Sequence, residues 1–484
     1  MLFRSITTVT QEQLFVVIFV IVCAVVLWAV FARTRFGLAT RAAAENERGA
    51  VCLGLSPDFL AGFNWVLSTV VTGLLGVFVA SINSNVDPVV IPALIVPAVT
   101  AALVGGFTSF GVTTLAAFLL GMQSPVIQAL GLRESWFPHA GSFPVPGVET
   151  VVPLIVICVV LYTRGNALPQ RGAVSIGRLP STPAAGPTSI RFVGPATAFV
   201  ALVAALFWLG PDYRGALTNS LIAMLVCLSV VVITGLVGQL SLAPLAFAGI
   251  AAFGVSKLSH DHGWPFPLPI VVGMVLATAV GLIVAVPALR IRGVSLAIVT
   301  IAFALACDRF VFDNENVNGG VARAPVVVPR LIDQARAVQY RVLGVFTAGD
   351  GQQPNPMTTV FCLIAVVVVG YLVANIRRSN TGRQMLAVRT NERAAAAAGV
   401  NVAGTKALAF GLSAAIAGLA GAVIAYRSGS ADQERFTYSQ SLLFFAFAYL
   451  GGIARVSGAV IEIGRAHVEL QSPDHLVCRL LLEK

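Results

Sequence analysis

The tripeptide Asn-Glu-Arg occurs twice in this chain, 345 residues apart. The copies are Asn46–Arg48 and Asn391–Arg393, and a glycine follows each arginine by six residues, as Gly54 or Gly399. A carboxylate beside a guanidinium on a polar segment can form ion pairs and charge-assisted hydrogen bonds with another protein. Because the sequence shows no converging set of histidine, cysteine and carboxylate residues, this pattern indicates binding rather than catalysis.

The two tripeptides belong to a longer internal repeat. Residues 33–80 and 378–425 align without a gap, and 14 of 48 positions are identical. After each tripeptide comes the pattern Leu-Ser-x4-Gly-x2-Gly, beginning at Leu67 or Leu412. Small residues at this spacing let apolar helices approach closely in lipid. The repeat therefore predicts a polar elbow leading into a small-residue helix, which we call the first elbow (residues 33–54) and the second elbow (residues 378–399).

Charged and amide residues of both elbows are the candidate contacts of a soluble partner that also comes in two copies. In the first elbow they are Arg41, Glu45, Asn46, Glu47 and Arg48, and in the second Arg389, Asn391, Glu392 and Arg393. A solvated face that merely sets the orientation of the chain remains the alternative, although arginines alone would suffice for that.

Composition defines the class of protein. Hydrophobic residues make up 57% of the chain and charged residues 11%, with a mean hydropathy of +0.88, against about 25% charged residues in ordinary globular domains. The sequence thus predicts an all-α, polytopic transmembrane helical bundle of 11 to 13 helices. Their apolar windows are 14–31, 60–81, 89–104, 112–121, 151–162, 196–209, 221–237, 243–257, 270–288, 295–312, 360–374, 407–426 and a stretch from 442 onward.

Arginine distribution predicts the topology. Both elbows, the loop 164–191 and the pair Arg290 and Arg292 carry clustered arginines, which the positive-inside rule places in the cytoplasm. Ten predicted helices separate the elbows, so the two halves are expected to be parallel and pseudo-symmetric, related by a twofold axis along the membrane normal. The expected domains are 1–163, a Pro-rich cytoplasmic linker at 164–195, and 196–462.

A second set of candidate residues interrupts apolar sequence. Gly235, Gly238, Gln239 and Ser241 form what we call the polar island (residues 234–242). Irregular backbone at membrane depth is tolerated where it is buried in protein or lines a cavity, so a broken helix near a translocation path is one interpretation and a plain loop is the other. Two glycine pairs at nearly equivalent places in the repeats are further candidates for hinges or tight packing on that path: Gly105 with Gly106, and Gly451 with Gly452.

Several chemistries are not indicated. The adjacent His260, Asp261 and His262 cannot all face one metal ion, and the seven cysteines include no C-x-x-C. No G-x-x-x-x-G-K-[ST] motif occurs, so the chain is not expected to bind ATP through a P-loop. We expect no cofactor in this chain. The net charge is +10, and the arginines are grouped in short loops with few aromatic residues among them. This pattern favours a role in setting the orientation of the chain in the membrane over nucleic-acid binding.

The motifs resemble the permease family of branched-chain amino acid ABC transporters. The strings G-L-V-G-Q-L-S-L-A-P-L-A-F-A-G-I (235–250), V-P-A-L-R-I-R-G-V-S-L-A-I-V-T (286–300) and the second elbow resemble the M-type subunit. The first elbow and I-P-A-L-I-V-P-A-V-T-A-A-L-V-G-G-F (91–107) resemble the H-type subunit. The resemblance implies a fused, multi-pass permease of the bacterial plasma (cytoplasmic) membrane. It also implies that the elbows contact two ABC ATPase subunits, which bind ATP and Mg, and that an extracytoplasmic solute-binding protein delivers the substrate.

Both ends of the permease are expected to be truncated, because the first half has one helix before its elbow and the second ends soon after Gly452. Residues 463–484 are expected to be a non-native tail, since I-G-R-A-H-V (463–468) and H-L-V-C-R-L-L-L-E (475–483) resemble a translated sequencing adapter.

Other functions remain open at the level of sequence. A related ABC importer for urea or short amides would carry the same motifs. An ATP-independent secondary transporter or channel is disfavoured because charged residues within the membrane lie toward helix ends. A membrane enzyme is disfavoured because no catalytic set converges.

Overall fold

The computed structural model describes residues 11–83, 93–133, 137–140, 143–164, 203, 210–289, 294–318, 323–326 and 356–450. Regular structure in these ranges is helical apart from two pairs of short antiparallel strands. The helices are α1 (Gln11–Arg33), α2 (Arg35–Glu45), α3 (Glu47–Cys52), α4 (Pro57–Asn83), α5 (Ile95–Val104), α6 (Phe110–Arg133), α7 (Val148–Arg164), α8 (Pro211–Val230), α9 (Pro244–Ser256), α10 (Leu268–Ala288), α11 (Val294–Ala306), α12 (Glu315–Asn318), α13 (Pro356–Arg378), α14 (Asn380–Thr390), α15 (Glu392–Ala397), α16 (Val402–Ser428) and α17 (Tyr438–Leu450).

Shorter elements complete the inventory. Strands β1 (His139–Ala140) and β2 (Phe143–Pro144) pair with each other, as do β3 (Arg323–Pro325) and β4 (Ser430–Asp432). The π-helical segments Val231–Leu236, Lys257–Asp261 and Cys307–Phe312 directly follow α8, α9 and α11, and a 3-10 turn covers Gln433–Phe436.

Eight helices within the described ranges are long and apolar enough to cross a bilayer, which confirms the helical membrane class. Helices α5 and α7 are apolar but shorter. Apart from residues 164 and 203, the predicted linker 164–195 and the predicted span 196–209 lie outside the described residues, as do Gly451, Gly452 and the tail 463–484. The total of 11 to 13 helices therefore stays a prediction.

One structural unit comprises the described residues between 11 and 122. Its packed centre lies under the first elbow, where Ala43, Ala50 and Leu60 are buried against Phe36 and neighbouring apolar side chains. Helix α1, by contrast, exposes Leu14, Phe15 and most of its other large apolar residues. Apolar surface of this extent is what a lipid-facing helix presents.

The other unit comprises the described residues from 123 onward, and α16 is its central helix. Helices α8, α9 and α10 pack on α16, and glycines permit the contact: a Cβ built on Gly421 would lie 1.9 Å from the carbonyl oxygen of Ala248. Polar bonds reinforce the apolar packing. The hydroxyl of Ser413 donates to the carbonyl of Ser229 at 2.9 Å, a bond between two buried residues that ties α16 to α8.

The repeat seen in the sequence is reproduced helix by helix. Four consecutive helices, α1 to α4, have their counterparts in α13 to α16, and every start and end residue matches at the same offset of 345. The alignment thus corresponds to one local structure that forms twice.

Candidate functional site

The shared asparagine and glycine define the shape of each elbow. Asn46 and Asn391 each separate two short helices, and their Oδ1 atoms accept hydrogen bonds from the backbone N–H of Gly49 (2.9 Å) and Ala394 (3.2 Å). A side chain that caps a helix in this way satisfies a donor that the helix itself cannot. Gly54 and Gly399 then turn the chain with φ of +80° and +83°, values that favour glycine.

The first turn of each elbow is also constructed identically. Thr34 and Ser379 accept a hydrogen bond from the N–H of the glycine three residues later, Gly37 or Gly382, at 3.2 Å in both copies. A Cβ on either glycine would overlap the end of the preceding helix, at 2.3 Å from Phe31 O and 2.0 Å from Ile376 O. These residues hold the elbow at a fixed angle to the long helix before it.

The elbows differ in where their charged side chains point. In the first elbow Arg41, Glu45, Glu47 and Arg48 are all exposed. In the second elbow Arg393 is exposed, whereas the carboxylate of Glu392 is turned into the fold, with its side chain only 9% exposed. The charged residues predicted to contact a partner are therefore exposed in the first elbow. In the second elbow some of them are exposed and others face the protein interior.

Glu392 forms a buried ion pair. Its Oε1 lies 2.9 Å from Nζ of Lys406, whose side chain is fully buried at the start of α16. The same Oε1 accepts a hydrogen bond from Nε2 of Gln239 at 3.3 Å. Gln239 belongs to the polar island, so the carboxylate of Glu392 joins the second elbow both to α16 and to the island.

Arg389 makes a second connection between the elbow and the island. Its guanidinium donates to the carbonyl oxygen of Gly235 at 2.5 Å. Gly238 has a φ of +74°, and a Cβ built there would lie 2.9 Å from Cγ of Arg389. The glycine is required both by its backbone conformation and by the close approach of the arginine.

The polar island begins within the π-helical segment Val231–Leu236, and its residues 238–242 have no regular secondary structure. Two backbone groups of the island that lie outside regular structure form hydrogen bonds with side chains. The carbonyl of Gln239 accepts from the hydroxyl of Thr234 at 3.0 Å, and the N–H of Leu242 donates to the hydroxyl of Thr300 at 2.9 Å. Ser441 donates in turn to Leu242 O at 3.0 Å. The island therefore contacts α11 and α17 as well as the elbow, and Gln239 and Ser241 are buried.

The sequence suggested two separate features, a docking elbow and a broken helix, and the structure brings them together in the second half of the chain. An apolar cluster fills the space between them, formed by Leu236 and Val237 of the island side and Met385, Val388 and Ala395 of the elbow. Gly105 and Gly106 belong to the first structural unit and stand at the C-terminal end of α5, where Gly106 has a φ of +65° and a Cβ on Gly105 would overlap the Thr113 hydroxyl.

Lys406 was missed by the sequence reasoning. A signal was available, because Lys406 is the one cation in the first 25 residues of α16 and lies 14 residues after Glu392. Position 61, its equivalent in the first repeat, is alanine. This ion pair is therefore specific to the second copy.

Metal binding finds no support in the described ranges, where no group of three histidine, cysteine or acidic residues is suitably placed. Nδ1 of His260 lies 3.0 Å from the carboxylate of its neighbour Asp261 on an exposed turn. This contact is a local surface pair.

Long apolar helices that expose lipid-compatible surfaces, together with a repeated charged elbow outside them, are the features of a multi-pass membrane permease. The chain belongs to the family described as branched-chain amino acid transport system / permease component, whose model matches residues 2–161 and 213–462. A permease component is a non-catalytic membrane subunit.

Two curated relatives are similar to part of the chain. Each is named High-affinity branched-chain amino acid transport system permease protein LivM, one from Escherichia coli (strain K12) and one from Salmonella typhimurium (strain LT2). Each is 29% identical over 263 residues, which cover 52% of this chain and 62% of the relative. The chain thus matches less than two thirds of the length of these relatives. No solved structure matches the chain.

Proposed function

We propose that the chain is the membrane subunit of an ATP-driven importer of branched-chain amino acids, and that its two elbows are the contact sites of two ABC ATPase subunits. Family membership and the names of the relatives support the class of substrate. The repeated elbow supports the presence of two ATPase subunits, because a surface that occurs twice in the chain suits a partner that comes in two copies.

The chain combines an H-type and an M-type permease module in this proposal. The family model matches two stretches, and four consecutive helices recur at one offset. Two modules of like local structure in parallel orientation would be related by a pseudo-twofold axis, with the substrate path along it. An extracytoplasmic solute-binding protein would deliver the substrate to the opposite side of the membrane from the ATPases.

Coupling between ATP hydrolysis and transport would proceed through the contacts of the second elbow. An ATPase that moves this elbow displaces Glu392 and Arg389, which are bonded to Gln239 and Gly235 of the polar island. The island is bonded in turn to Thr300 of α11 and Ser441 of α17. Closely packed elements with specific polar contacts move as a unit, so motion of the elbow would be transmitted to membrane helices. Gln239, Arg389 and Glu392 are positioning residues in this scheme.

The observation that carries the proposal is that Arg48 and Arg393, at equivalent positions of two matching elbows, are both exposed. We expect the double variant Arg48→Glu/Arg393→Glu to lose the ATPase subunits on co-purification and to reduce ATP-driven leucine uptake by about tenfold or more, because reversing an interface charge places like charges together. Each single variant should retain part of the activity.

Lys257→Glu is the matched control, since Lys257 is an exposed cation outside both elbows. Its ATPase binding and uptake should equal those of the unaltered chain. Normal ATPase binding by the double variant would refute the proposed contact, and full uptake without ATPase subunits would instead indicate a transporter that works alone.

A further inference from the structure

A cavity of about 390 Å³ lies in the second structural unit, between α8, α16 and α17. This size is at the small end of the range for ligand pockets, about 300–1,000 Å³. One wall is apolar and includes Ile222, Val226, Leu245 and Phe444, while Arg427 and Arg435 supply charge. The cavity therefore combines an aliphatic surface with two guanidinium groups.

Its position in the fold separates it from the elbow. Arg427 is the second-last residue of α16, and Lys406, paired to the elbow, is the fifth residue of the same helix. Twenty-one residues of α-helix correspond to about 32 Å, roughly the thickness of the hydrocarbon core of a bilayer. With the elbows in the cytoplasm, the cavity is at the extracytoplasmic end, where substrate would arrive.

The charges of the cavity are not balanced by the described residues that line it. Among the described lining residues there is no aspartate or glutamate, although two arginines face the same space. Arg427 is oriented by neutral acceptors, Oδ1 of Asn219 and the carbonyl of Gly215. A guanidinium has five N–H donors, and these two contacts leave others for a ligand. Two like charges beside an apolar wall favour an anion, and a carboxylate matches the geometry of a guanidinium.

We propose that Arg427 and Arg435 bind the carboxylate of a small aliphatic carboxylic acid, whose side chain lies against Ile222, Val226 and Phe444. This inference rests on the proposed function and deepens it, because it distinguishes a free amino acid from urea or a short amide. Neutral amides and urea have no group that compensates two positive charges.

The test measures ligand binding by the full-length purified chain in lipid nanodiscs. The probes are leucine, 4-methylpentanoate, leucinamide and urea. Leucine and 4-methylpentanoate should bind, whereas leucinamide and urea should neither bind nor compete. Arg435→Gln should weaken leucine binding by about tenfold, the effect of losing one charge-assisted contact. Arg435 is exposed, so this variant is expected to fold, and Arg427→Lys, which keeps a charge at the oriented position, should retain partial binding.

Lys257→Gln is again the matched control, because it removes an exposed cation that does not line the cavity. Equal binding of leucinamide and leucine, or equal losses in Arg435→Gln and Lys257→Gln, would overturn the inference. ATP-driven uptake by the unaltered chain with its ATPases is measured in parallel. If carboxylate selectivity is lost but uptake is intact, the proposed site is refuted and the importer is not. If carboxylates bind in a manner that depends on Arg435 but there is no ATP-driven uptake, the site is supported and the importer is refuted.

Discussion

Glu47 and Glu392 occupy equivalent positions of the two elbows but have different environments. Glu47 is exposed, whereas Glu392 is paired with the buried amine of Lys406. The position of Lys406 is Ala61 in the first repeat, so the same ion pair cannot form there. The buried carboxylate of Glu392 is held by Lys406 and by Gln239.

This difference predicts unequal effects on stability. Lys406→Met should reduce the free energy of unfolding by about 3 kcal/mol, because it leaves the carboxylate of Glu392 without its buried cation. The double variant Lys406→Met/Glu392→Gln should recover most of that loss. Reversible unfolding in mixed micelles measures both.

Glu47→Gln provides the comparison in the first elbow. Since Glu47 is exposed, its replacement should change the free energy of unfolding by no more than about 0.5 kcal/mol. A loss as large as that of Lys406→Met would show that burial of the ion pair is not what distinguishes the two elbows.

At the scale of helices, the sequence predicts local structure well and long-range contacts poorly. The elbows and the small-residue helices that follow them were expected from the repeat, and their bounds coincide at one offset because caps and turns depend on nearby residues such as Asn46 and Gly54. The contact of Glu392 with Gln239 joins residues 153 positions apart. Spacing along the chain carries no information on such a contact, so the union of elbow and polar island could not be predicted.

The same limit applies to the shared glycines of α4 and α16. Gly76 and Gly421 are equivalent in sequence, and the small-residue pattern predicts close packing for both. A Cβ on Gly421 would overlap backbone atoms of Ala248, whereas one on Gly76 would meet no atom of the described residues within 4 Å. Tertiary neighbours, which the pattern does not identify, determine which glycine is needed for packing.

Replacing each glycine by alanine should therefore have opposite effects. Gly421→Ala should destabilise the chain by about 1–3 kcal/mol, because the backbone of Ala248 would have to shift to accommodate the methyl group. Gly76→Ala should be neutral or stabilising by up to about 1 kcal/mol through helix propensity. Thermal unfolding of both variants in lipid nanodiscs checks the pair, and similar destabilisation by the two would contradict the packing described for α16.

At the scale of the whole molecule, function depends on which side of the membrane each feature occupies. The arginine distribution predicts that both elbows lie in the cytoplasm, and eight apolar helices of membrane-spanning length are present in the described ranges. In the proposed importer the elbows receive motion from the ATPases on one side, and the cavity at Arg427 and Arg435 receives substrate on the other. The topology is thus the claim on which the functional account depends.

The most direct test is labelling of single cysteines from either side of the membrane. Arg48→Cys, Arg393→Cys and Lys257→Cys would each be introduced into a chain whose native cysteines are replaced by serine or alanine, and treated with a membrane-impermeant thiol reagent. We predict that Cys at positions 48 and 393 reacts only from the cytoplasmic side and is protected when ATPase subunits are bound, while Cys at position 257 reacts only from the other side. Labelling of positions 48 and 393 from opposite sides, or equal labelling with and without bound ATPases, would contradict the account.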